Sequence, residues 1–321
     1  MKTKHLFFIA ACSLLVASCS NPVETTLKDE TYEKSFSFSF KSEVIPFSTK
    51  STARIPFFNI PDPTTKTDGT VDPPTPPNPT PSTLAEPTII QKYLYSGDEL
   101  NSNGVINKKD GGFPEFTERF AKGKYEYIFI AHSEQKITIN NNNLTFSEVP
   151  DVFIGTEKFE IPTINATSTP TNLNRCIARI EVVSDTPTPS EVKSISIQTS
   201  NFLNTLDIKT KSAAITEGHP TEKSYVFSKV ESTKNPIPTD QLFSTGFNTF
   251  ILPTKGETTH QLSLVITITY DDNKTISHTI SDIEPVTDKI IRYTGNIFSQ
   301  SGGFSFDVKS DWSGGIEERP I

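Results

Sequence analysis

The chain has 321 residues, with 30 basic against 38 acidic side chains and a net charge of −8 at pH 7. Lys and Arg are scattered among Asp and Glu, so the basic stripe that a nucleic-acid partner requires is missing. Thr, Ser, Asn and 24 prolines dominate the polar composition beside a single Met, which argues against a helical protein and points to short strands separated by turns.

Lys2 and Lys4 precede an apolar run from residue 6 to 16. That run is shorter than the roughly 20 apolar residues of a membrane-spanning helix. It has the form of a secretory signal, expected to occupy residues 1–18 and to be removed. Its end, Val16-Ala17-Ser18-Cys19, resembles the lipobox of bacterial lipoproteins. The resemblance implies cleavage before Cys19 and acylation of its thiol and new amino group. Two or more acyl chains anchor stably where one binds only marginally. Cys12 falls inside the signal and Cys19 would carry lipid, which leaves Cys176 with no partner for an internal bridge. Cys176 lies in a strand-like run beside Ile177, and a buried structural thiol is the expectation.

Residues 19–34 are polar and expected to form a lipidated tether. Ser35-Phe36-Ser37-Phe38-Ser39-Phe40 follows, the clearest strand of the chain, with Phe36, Phe38 and Phe40 on one face and the serines on the other. Residues 61–87 hold Pro73, Pro74, Pro76, Pro77, Pro79 and Pro81, a density that cannot supply ladder donors and favours an extended loop or internal linker. Strands are predicted over residues 89–94, 125–131, 136–139, 144–146, 152–154 and 159–161. A polar connection over 167–171 separates them from a second set over 177–183, 192–198, 225–227, 249–252, 262–270, 275–280, 290–298 and 304–308. Asp271-Asp272-Asn273-Lys274 is the hairpin turn between two of these, and Lys122-Gly123-Lys124 is the turn leading to residue 125. The fold class is all-β, in two β-rich halves over 35–172 and 173–321.

Several segments recur in an order that resembles a known family. The lipobox and the early aromatic strand are followed by Gly123-Lys124-Tyr125-Glu126-Tyr127-Ile128-Phe129-Ile130-Ala131, then by Leu173-Asn174-Arg175-Cys176-Ile177-Ala178-Arg179-Ile180-Glu181-Val182. Phe250-Ile251-Leu252-Pro253, Arg292-Tyr293-Thr294-Gly295 and Phe304-Ser305-Phe306-Asp307-Val308 complete the series. Spanning nearly the whole chain, it is similar to the fimbrillins, the lipoprotein pilins of Bacteroides-type bacteria. The resemblance implies two transthyretin-like β-sandwich domains in tandem and a structural or adhesive subunit of a cell-surface fimbria. Export as a lipoprotein to the outer membrane, other fimbrial subunits as partners and assembly by β-strand addition follow from the same family. In stalk and tip subunits an arginine-specific protease removes the first strand and so opens an apolar groove; anchor subunits stay lipidated.

On this chain, Phe36, Phe38 and Phe40 are the candidate displaced strand. Burying each is worth roughly 1.5–3 kcal/mol, and its loss would leave an edge open to strand addition. Arg54 is the first arginine after the signal, so the candidate cleavage lies between Arg54 and Ile55; the alternative is an ordinary surface arginine. Phe304, Phe306 and Val308 repeat the spacing of the early strand and are either a donor strand or the last core strand of the second half.

No catalytic residues, metal site or cofactor are expected. His132, His219, His260 and His278 lack metal-ligand spacing, and Asp271-Asp272-Asn273 lacks the glycine and terminal glutamate of a calcium loop. A second reading is a surface glycan-binding lipoprotein. Sugars stack on exposed aromatic rings, for which the single Trp312 is a poor platform and Tyr93, Tyr95, Tyr125 and Tyr127 are the remaining candidates.

Overall fold

The computed structural model describes residues 31–40, 86–133, 136–140, 142–162, 169–214, 222–229, 235–252 and 261–300, and the backbone of 304–309 and 316–317. Every regular element among them is a β-strand. The first half contributes β1 (Tyr32–Phe36), β2 (Phe38–Phe40), β3 (Ile89–Ser96), β4 (Glu99–Asn107), β5 (Phe116–Phe120), β6 (Gly123–His132), β7 (Ile137–Asn140), β8 (Asn143–Phe146), β9 (Phe153–Ile161) and β10 (Thr171–Arg175). The second contributes β11 (Ile177–Pro187), β12 (Val192–Ser200), β13 (Thr205–Asp207), β14 (Ser212–Ala213), β15 (Lys223–Ser228), β16 (Leu242–Phe250), β17 (Leu262–Tyr270) and β18 (Thr275–Ile283). The series ends with β19 (Ile290–Gly295), β20 (Phe304–Lys309) and β21 (Ile316–Glu317).

The first half is built on a six-stranded sheet in the order β2-β10-β9-β6-β3-β4. Alternation along β6 sends Tyr127, Phe129 and Ala131 to one core and Ile128 and Ile130 to another. The central strand is therefore apolar on both faces, which is why it reads as an unbroken hydrophobic run. The two-stranded ribbon β1-β5 covers one face, and the four-stranded sheet β14-β13-β8-β7 covers the other.

The second half is a sandwich of a five-stranded sheet, β16-β11-β19-β20-β21, and a four-stranded sheet, β15-β12-β17-β18. Ile180 and Val182 of β11 meet Ile195 and Ile197 of β12 and Leu264, Ile266 and Ile268 of β17 in the core between them. The turn after β17 falls at residues 271–274, as predicted. Asn273 takes φ 64°, a conformation that asparagine tolerates, and its N–H donates to Tyr270 O at 2.9 Å.

Several expectations are corrected. Residues 35–40 are not one strand: β1 pairs antiparallel with β5, β2 pairs parallel with β10, and Ser37 lies between them. Residues 153–161 form one strand rather than two. Strands β4, β5, β13, β14 and β21 fall outside the predicted segments. Thr171, placed in a connection, begins β10 and joins the six-stranded sheet. Packing also crosses the level of residue 173. β13 pairs with β8, and Ile177, Leu203, Leu206, Ile208 and Phe250 share a core with Tyr93 and Tyr95.

Candidate functional site: the aromatic pocket of the N-terminal strands

Three aromatic rings define the site. Phe36 is 1% exposed. It stacks on Phe116 with centroids 4.9 Å apart and meets Tyr127 edge-on at 4.9 Å. Phe159 closes a third side at 5.7 Å. Phe38 and Phe40 are half-buried at the rim of the same core. Phe38 meets Phe129 at 5.0 Å, and Phe40 meets Phe153 at 5.2 Å. Edge and offset contacts of this kind add to the stabilisation from burial alone. The structure thus brings the three sequence-selected rings into one pocket, although they hang from two strands.

Polar contacts fix the register. Ser39 Oγ–H donates to Asn172 Oδ1 at 2.7 Å, and the hydroxyls of Ser35 and Thr117 lie 2.8 Å apart. Thr171 N–H donates to Ser37 O at 2.8 Å, bridging the gap between β1 and β2. Close approach of β9 and β10 beneath them depends on Gly155. A Cβ there would fall 2.6 Å from Leu173 Cδ2 and 2.7 Å from Asn172 O.

One acidic residue interrupts the aromatic face of β9. Phe153, Gly155, Glu157, Phe159 and Ile161 follow one another at the strand's two-residue period. Glu157 Oε1 accepts from Lys34 Nζ at 2.7 Å and Oε2 from Thr171 Oγ1 at 2.8 Å. Lys34 Nζ also lies 5.2 Å from the centroids of both Phe36 and Phe159. On the facing ribbon, Lys34 stands in register with Glu118. Lys92 and the Tyr127 hydroxyl both hydrogen-bond to that carboxylate. Burial first, and then the Glu118 hydrogen bond, push the Tyr127 hydroxyl pKa far up. Sequence inspection missed Lys34, Glu157 and Glu118, because each sits in a run of mixed polar residues with no periodic signal of its own.

The remaining sequence-selected residues fall as follows. Cys19, Arg54, Ile55, His219, His260, Trp312 and nearly all of the proline-rich segment lie outside the described residues. Phe304, Phe306 and Val308 lie on β20, whose backbone pairs with β19 and β21 of its own chain. Cys176 is half-buried against the core shared by the two halves. Its thiol donates to Val152 O at 3.5 Å, and burial pushes its pKa up. His132 is fully buried edge-on to Phe146, and His278 Nε2 lies 3.0 Å from Ile297 O. As sugar platforms, Tyr93, Tyr95 and Tyr127 are corrected: all three are core residues at 1% exposure or less. Tyr125 is half-buried, stacked on Phe159 at 5.5 Å.

No family model and no curated protein matches the chain. Solved structures similar to it include the fimbrial anchor protein Mfa2 from Porphyromonas gingivalis, at 14% identity and TM-score 0.39, covering 71% of this chain and 90% of that one. A fimbrial assembly protein from Parabacteroides distasonis is similar at 10% identity and TM-score 0.41, covering 70% of this chain and 88% of its own. Both of those proteins are named as fimbrial.

Proposed function

We propose that the chain is a structural or adhesive subunit of a cell-surface fimbria, exported as a lipoprotein through Cys19 and assembled by β-strand addition. The observation that supports this most directly is the lodging of residues 32–40. They lie ahead of the rest of the domain in sequence, and they give Phe36, Phe38 and Phe40 to its core. Yet, among the described residues, β1 pairs only with β5, and β2 only with β10 at the end of its sheet. Both are edge strands, so they can leave without breaking any interior pairing. What they leave behind is an unpaired edge beside an aromatic groove, a template for an incoming strand.

In this reading cleavage after Arg54 frees the segment, and a strand from another subunit replaces it. The chain's own β20 is engaged between β19 and β21, so we assign the donor to a neighbouring subunit rather than to Phe304, Phe306 and Val308 in place. The protein has two sandwiches, with the seam drawn near Cys176 and residues 203–213 counted with the first. We assign no catalytic role: the buried charges Arg175, Asp151, Arg179 and Glu181 are consumed in mutual ion pairs.

N-terminal sequencing of surface material tests the assignment. Ile55 as first residue is the result for a stalk or tip subunit, and acylated Cys19 that for an anchor. A chain starting elsewhere, without lipid, overturns the proposal. Cys19→Ala is expected to release the protein from the membrane fraction.

A further inference from the structure

The slot that residues 32–40 fill is not uniformly apolar. We infer that Glu157 selects the incoming strand by charge, so that the partner strand carries a basic residue two positions before its first buried aromatic ring. This inference rests on the strand-addition reading above and narrows the class of partner.

The argument starts from the face of β9. A partly buried carboxylate between Gly155 and Phe159 on a largely aromatic stripe is costly unless it is paired. In the intact chain Lys34 pairs it at 2.7 Å, with 11% and 22% of the two side chains exposed. Thr171 occupies the other oxygen at 2.8 Å but brings no charge. When residues 32–40 leave, Glu157 therefore loses its cation, while its hydroxyl partner stays on β10. Glu118, in register with Lys34 across the ribbon, places a second acidic group on the same side of the slot. An incoming strand with a neutral residue at that level leaves Glu157 without a cation beside Phe159, held by Thr171 alone. One with an acidic residue adds repulsion. Lys or Arg there restores the pair and the contact of the ammonium with the Phe159 ring.

The inward pattern of the resident segment is Tyr32, Lys34, Phe36, Phe38, Phe40. The C-terminal strand reproduces its last three positions as Phe304, Phe306 and Val308, but Gly302 falls where Lys34 stands. Read in the same direction, the chain's own C-terminal segment therefore satisfies the aromatic pockets and not the carboxylate. The slot favours a different subunit over a second copy of this chain.

The test uses the full chain cut after Arg54 and labelled nine-residue peptides that compete with the resident segment. A peptide of residues 32–40 is expected to enter. Its Lys34→Glu form, and the peptide of residues 300–308, are expected to bind about tenfold more weakly or worse. Glu157→Lys in the chain is expected to reverse the preference between the Lys34 and Lys34→Glu peptides. If Glu157→Lys fails to fold, Glu157→Gln replaces it and is expected to erase the difference between the Lys34 and Lys34→Gln peptides. Equal binding of all peptides to the unaltered cut chain overturns the selectivity and leaves strand addition standing. Failure of every peptide to enter overturns both.

Discussion

The Arg175 guanidinium meets the Asp151 carboxylate at two points, Nε to Oδ1 at 2.6 Å and Nη2 to Oδ2 at 2.8 Å, with both side chains only 1% exposed. Arg175 closes β10, and its third contact, Nη1 to Asp288 at 2.9 Å, reaches the turn before β19. One guanidinium thus ties the first sheet to the second half. Burial works against its charge, but the two aspartates outweigh burial and hold its pKa above the ordinary value. Removing one partner of such a pair strands the other without water. Asp151→Ala is expected to cost about 3–5 kcal/mol in urea unfolding, and Asp288→Ala, at a half-exposed carboxylate, much less.

A second buried pair supplies a pH dependence. Glu181 accepts from Arg179 Nε at 2.9 Å and from Arg292 Nη2 at 2.6 Å. Burial opposes the charged carboxylate, but the two guanidinium groups prevail and hold its pKa below the usual 4.5. A group with a depressed folded pKa contributes stability above its unfolded value and loses it as pH falls through the folded one. Glu181→Gln is therefore expected to be less stable than the parent at neutral pH. The gap should narrow as pH drops below 4.5. A gap that is constant from pH 7 to pH 3 in thermal melts would contradict the pairing.

Phe36 and its two neighbours differ in depth, and the difference is measurable. Phe36→Ala is expected to cost about 3–5 kcal/mol, as for a fully buried ring. Phe38→Ala and Phe40→Ala, at the rim, are expected to cost less. Equal losses at the three positions in chemical denaturation would mean that the rings are equally deep.

Gly155→Ala tests the closeness of β9 and β10. The added methyl meets the backbone carbonyl of Asn172, which cannot move without shifting β10. A loss of about 1–3 kcal/mol is expected, as for overpacking elsewhere. Amide exchange should quicken at Thr171 and Asn172.

Tyr93 offers the opposite sign. Its hydroxyl is buried and has no hydrogen-bond partner among the described residues, and burial drives its pKa strongly up. Tyr93→Phe removes a desolvated polar group at little change in shape. It is expected to leave stability unchanged or to raise it by up to about 1 kcal/mol in calorimetry.

The all-β class and most long strands were legible because period-2 alternation and turn residues survive in the sequence. β4 was not: Glu99-Leu100-Asn101-Ser102-Asn103 has no apolar face to reveal it, since an edge strand exposes most of its side chains. β5 was hidden by its inward Glu118, which breaks the alternation between Phe116 and Phe120 yet is held by Lys92 and Tyr127. The three phenylalanines were readable as one face, but the shift from β5 to β10 as pairing partner was not. A strand that passes between two sheets keeps its alternation. Glu157 was illegible for a related reason: its neighbour Lys158 is also charged, with the opposite sign, and only the register of β9 decides which of the two turns inward.

The hairpin of β13 and β14 carries a consequence for inheritance. Residues 203–213 follow two strands of the second sandwich in the chain, yet β13 pairs with β8, and Leu206, Ile208 and Ala213 line a core of the first. A gene cut near residue 173 would therefore separate Leu144 and Phe146 from the side chains that cover them. Recombination at that point is expected to expose this shared core, whereas exchange of an edge segment such as residues 32–40 leaves it covered.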